Sequence, residues 1–92
     1  MLKQRKVRMA VEREYSPQII RKITEDVDSE IKKRATLLND KTNIEKVKGL
    51  KDIYEFLEKK GESHSGSPRV TEYITGMKKA VELAIRHIIK EG

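Results

Sequence analysis

Ninety-two residues, 39 % charged and 36 % hydrophobic, with one Phe, three Tyr and no Trp, can bury only a thin aliphatic core. A formal charge of +6 stands beside a complete lack of Cys, which excludes disulfide staples, thiolate metal sites and Cys nucleophiles together. No apolar run approaches the ~20 residues of a membrane-spanning helix, and the basic start lacks the apolar stretch of a secretory signal, so a cytoplasmic protein with no membrane partner is expected.

The chain opens with MLKQRKVR, where Lys3, Arg5, Lys6 and Arg8 meet no acid. These four charges are two thirds of the net excess, and elsewhere bases and acids are interleaved. Unbalanced positive charge is the footprint of phosphate contact, made by releasing counterions. Four such contacts give a log–log salt slope of about −3.6 per chain, so one copy binds weakly and several copies are needed. Across residues 1–15 two periods compete. Val7, Met9 and Val11 alternate as on a strand, whereas Val7, Val11 and Tyr15 step by four as on a helix. A strand ahead of helices resembles the ribbon-helix-helix repressors in outline, which implies paired strands entering a major groove. The likeness stops there, because the helix that follows is much longer than that family's first and a third long helix comes after.

Ser16-Pro17 starts the first helix, with Ser16 as N-cap and Pro17 at the first helical position. Ile20, Ile23, Val27, Ile31, Ala35 and Leu38 then recur every three or four residues, the inner face of an amphipathic helix over about 17–39. Asp28/Lys32 and Glu30/Arg34 take the favourable acid-first order on its outer face. Asn39-Asp40 compete for backbone groups and end it. Thr42 with Glu45 fits a capping box for a second helix, about 43–60, whose stripe is Ile44, Val47, Leu50, Ile53, Tyr54 and Leu57. The short link makes these two helices an antiparallel hairpin. Gly49 inside the second costs ~1 kcal/mol, for which a close helix neighbour is the expected compensation.

Gly61 follows Lys59-Lys60 and is placed to stop that helix in the left-handed conformation, and residues 61–67, GESHSGS, read as a flexible loop. Ser67-Pro68 repeats the earlier helix start. In the third helix, about 68–90, Val70, Ile74, Met77, Val81, Ala84 and Ile88 are spaced 4-3-4-3-4, with Ile85 and Ile89 alongside. The seam lasts under three heptads, and Tyr73, Ala80 and Ile85 stand where opposed charges flank a coiled coil. So wide a stripe suits a bundle helix packed on its own domain, with a surplus face for a partner. Gly76, Ala80 and Ala84 form a small-residue row that admits a close helix neighbour.

The expected fold is therefore all-α: one domain, residues 1–92, of three main helices behind a basic arm that is a short helix or a strand. Candidates for chemistry are sparse. His64 lies in the loop and His87 near the last helix end, neither with metal-ligand company. Glu55 and Glu58 stand among Lys51, Lys59 and Lys60 with no pocket between them, and GESHSGS is no P-loop. No catalytic residue, metal, cofactor or small-molecule substrate is expected. Two function classes remain. The favoured one is a non-enzymatic helical binding protein, a homo-oligomer with the dimer preferred, that meets nucleic acid through Lys3, Arg5, Lys6 and Arg8. The alternative is a protein–protein interaction module, an adaptor, inhibitor or assembly component in the style of phage and mobile-element accessory proteins. Its working surface is the apolar face Val70, Ile74, Met77, Val81, Ile85 and Ile88, with the arm resting on an acidic protein partner.

Overall fold

A computed structural model describes residues 14–91, which form three α-helices and no strand. These are α1 (Pro17–Thr36), α2 (Asn43–Ser63) and α3 (Pro68–Glu91). The all-α helical bundle expected from the periodicities is the architecture found. Lys3, Arg5, Lys6, Arg8 and the choice between strand and helix for the arm lie outside the described residues. Among those described, no helix is long and apolar enough to cross a membrane.

The helix starts follow from the local sequence. Ser16 is extended, and its Oγ accepts from the Ile19 N–H at 3.3 Å, with Pro17 next in line. At Thr42 both halves of the capping box form: its N–H donates to Glu45 Oε1 at 3.1 Å and its Oγ1 accepts from the Glu45 N–H at 3.2 Å. Ser67, fully buried, accepts from the Val70 N–H at 3.2 Å and so caps α3.

The helix ends depart from expectation. α1 stops at Thr36, short of residue 39, because the following N–H groups bond three residues back. Leu38 donates to Ala35 at 3.0 Å, Asn39 to Thr36 at 3.2 Å and Lys41 to Leu38 at 3.1 Å. This tightened path turns Leu38 inward onto α2. α2 does not stop at Gly61 but runs to Ser63, with His64 as its C-cap, and no described glycine has a positive φ. The His64 N–H bonds the Lys60 and Gly61 carbonyls at 3.2 and 3.3 Å, which satisfies the helix end without a left-handed residue. Gly61 lies inside the helix against α3, where a Cβ would meet Ile74 Cγ2 at 3.4 Å, an ordinary van der Waals contact. The first three residues of the expected 61–67 loop are thus helical.

Tyr15 meets His64 at one end and Leu38 meets Gly49 towards the other, so α1 runs antiparallel to α2 and parallel to α3. The buried core is Val27, Ile53, Leu57, Val70, Ile74 and Val81. Only Val27 comes from α1, whose Ile20, Ile23 and Ile31 are half-buried. The core is therefore an α2–α3 hairpin with α1 laid along one side. Tyr73 ties α3 to α1 by donating to the Thr24 carbonyl at 3.3 Å. Burial, and next the charge of Asp28, push its hydroxyl pKa up and keep it a donor.

Candidate interaction surface

The two sides of the hairpin differ. On the α1 side, Leu38 fills the space beside Gly49, and the Arg34 guanidinium lies 4.6 Å from the centroid of the Phe56 ring. At about 100° per residue, Ile44, Val47 and Lys51 lie roughly half a turn round α2 from Gly49 and Phe56. They therefore face away from α1. Together with Asn43, Lys48, Ile88 and Ile89 they line an open groove of about 450 Å³ between the start of α2 and the end of α3. Ile44 is 78 % exposed and Ile89 65 %. Among the described residues, Lys48 and Lys51 are the only charged groups lining the groove, and no acid joins them. Nearer the middle of the hairpin, Lys78 Nζ lies 5.4 Å from the Tyr54 ring centroid and covers that aromatic face.

The six residues proposed from sequence as a partner face are distributed differently by the fold. Val70, Ile74 and Val81 are buried in the chain's own core. Met77 and Ile85 are half-buried against that core, and Ile88 alone reaches the groove. Ile44 and Val47, read from sequence as part of an inner stripe, were missed as surface residues, and Ile89 was only an adjunct. The usable signal was the width of the α2 stripe, which exceeds what one neighbouring helix covers. Gly76 and Ala80 of the small-residue row are exposed, and a Cβ on Gly76 would meet nothing within 4 Å.

A second cluster fastens the chain just before α1 to the α2–α3 turn. The Glu14 carboxylate accepts from the Ser67 hydroxyl and from the Arg69 N–H, the latter at 2.9 Å, and from the Tyr15 N–H at 3.0 Å. The Ser67 hydroxyl is the main cause that holds the Glu14 carboxyl below the ordinary glutamate range. The Arg69 and Tyr15 N–H groups and the Arg69 charge add to it, while desolvation opposes. Tyr15 Oη and His64 Nδ1 are 3.0 Å apart, and the two rings meet edge-on with centroids 5.7 Å apart. His64, read from sequence as an isolated loop histidine, is thus a partner of Tyr15. Among the described residues no three His, Cys, Asp or Glu side chains gather as a metal site.

No protein-family model matches the chain, and neither a curated protein nor a solved structure matches it.

Proposed function

We propose that this chain is a non-enzymatic protein-interaction module working through the groove between the start of α2 and the end of α3. The observation that carries this is the pair Ile44 and Ile89, 78 % and 65 % exposed across one apolar depression. A chain with so thin a core has little apolar surface to spare, and fully burying one isoleucine side chain stabilises by about 1.5–3 kcal/mol. Two isoleucines left in water beside Val47 and Ile88 are the kind of clustered apolar surface that a partner covers. The α3 face inferred from sequence contributes Ile88, while Val70, Ile74 and Val81 serve the core.

Site-specific photo-crosslinking in the native host tests the proposal. A photoreactive residue at position 44 or 89 should give the same protein adduct, and one at exposed Glu25 on α1 should not. Absence of a shared adduct from the two groove positions sinks the idea.

A second function is favoured by charge. Residues 1–13 carry five bases and one acid, which leaves only +2 of the +6 for the rest of the chain. Nucleic-acid contact through Lys3, Arg5, Lys6 and Arg8, with a dimer doubling the phosphate contacts, accounts for that concentration. A cytoplasmic location suits both functions and fits the lack of Cys. Deleting residues 1–8 should abolish salt-dependent binding to duplex or single-stranded nucleic acid, and light scattering should show the dimer. A full-length chain that binds neither at physiological salt rules this function out.

A further inference from the structure

We propose that the groove receives an acidic amphipathic helix of another protein, docked as a fourth helix on the side of the α2–α3 hairpin opposite α1; this rests on the interaction function above and adds the chemistry of the occupant. Shape selects a helix. The groove is a valley between the first turns of α2 and the last turn of α3, and ridges of a third helix fill such valleys, as α1 does on the other side. A helix also satisfies its own backbone, so it can lie on Ile44 and Ile89 without unpaired polar groups. An extended peptide docks on a sheet edge or, as polyproline II, on an aromatic-lined groove; the described residues form no strand, and no aromatic among them lines this groove. From Ile44 to Lys51 the valley runs about 10 Å, two helical turns, which suits apolar anchors at i, i+3 or i+4, and i+7.

Charge selects an acidic helix and another protein. Lys48 and Lys51 flank the isoleucines, and among the described residues no Asp or Glu lines the groove. Glutamates beside the apolar anchors would pair with both lysines. A second copy docked groove to groove would instead bring Lys48 and Lys51 against the same two residues of its partner, and like charges juxtaposed at an interface are unfavourable. The lysines thus discriminate as well as attract.

The test uses the full chain and two labelled helical peptides of about 18 residues, with the same leucine stripe and either Glu or Lys flanking it. Fluorescence anisotropy should show the Glu peptide bound roughly five- to tenfold tighter, the scale of two exposed ion pairs. Lys48→Glu/Lys51→Glu should reverse the order. Ile44→Ser/Ile89→Ser should lose both peptides while the circular-dichroism melt is kept, because all four side chains are exposed. Equal binding of the two peptides, lost in the isoleucine variant, would leave the interaction module standing and overturn the acidic occupant. A chain that dimerises by light scattering until Ile44 and Ile89 are replaced would make the occupant a second copy and also overturn it. Binding of neither peptide, or binding that survives the isoleucine variant, would remove the groove as a site and the interaction function with it.

Discussion

Leu38 Cδ1 lies 2.8 Å from the point where a Cβ on Gly49 would stand. This contact joins the end of α1 to the second turn of α2, and it comes from a residue just past α1 rather than from the helix itself. Glycine inside a helix costs about 1 kcal/mol, and here that cost makes room for a leucine that would otherwise be in water. The neighbour expected at Gly49 is therefore a single side chain swung in by a tightened turn.

Gly49→Ala should destabilise the fold by about 1 kcal/mol, the helix-propensity gain of about 1 set against about 1–3 for overpacking against Leu38. In a Leu38→Ala background the same change should become stabilising, by up to about 1 kcal/mol. Urea unfolding of the four proteins in the cycle measures both. Additive effects would show that Leu38 does not occupy the space beside Gly49.

Gly76→Ala makes the opposite case. Position 76 is inside α3, exposed, and open to 4 Å around an added Cβ. The substitution should stabilise by about 0.8–1 kcal/mol, a rise in Tm of roughly 4–8 °C for a chain of this size. An unchanged or lowered Tm would mean that the Gly76 face is covered in solution.

Local signals were the legible part of this chain. Ser16-Pro17, Thr42 with Glu45, and Ser67-Pro68 act through backbone groups within four residues, so they mark helix starts whatever surrounds them. Signals that depend on a distant neighbour were not legible. Gly61 has the composition of a helix stop, yet α2 runs through it to Ser63 and packs it against Ile74, thirteen positions on. Periodicity marked Ile44 and Val47 as apolar-face residues but could not say that α1 covers the Gly49 side and leaves theirs open. The His64 side chain finds its partner in Tyr15, 49 positions away in sequence. The candidate site was therefore half readable: its residue types were, and the side of the hairpin it occupies was not.

Ser67→Ala should be among the costlier single changes outside the apolar core. Ser67 is fully buried, its Oγ caps the Val70 N–H, and its hydroxyl donates to Glu14. A lost N-cap costs about 0.5–2 kcal/mol, the burial of the Val70 N–H puts Ser67 at the upper end of that range, and Glu14 loses a donor as well. A combined loss of about 2 kcal/mol is expected in chemical denaturation, whereas Ser16→Ala at the exposed start of α1 should cost about 1. Equal, small effects at the two positions would show that Glu14 and Val70 find other partners.

Glu14 also gives the fold a pH dependence of definite sign. Its folded carboxyl is held below the ordinary glutamate range, chiefly by the Ser67 hydroxyl, so the folded state binds that proton less readily than the unfolded chain. The stabilisation is complete above the ordinary glutamate pKa and is lost as pH falls through the lowered folded value. Glu30, held down first by Arg34, and Glu45, held down first by the Thr42 N–H, act in the same direction. Unfolding free energy should therefore fall as the solution is acidified below the ordinary glutamate range. Glu14→Gln should lower stability at neutral pH and flatten that acid limb, leaving the shares of Glu30 and Glu45. An acid limb of unchanged slope in Glu14→Gln would show that Glu14 does not hold its carboxylate on Ser67 and Arg69 in solution, and the fastening of the N-terminal segment to the α2–α3 turn would fail with it.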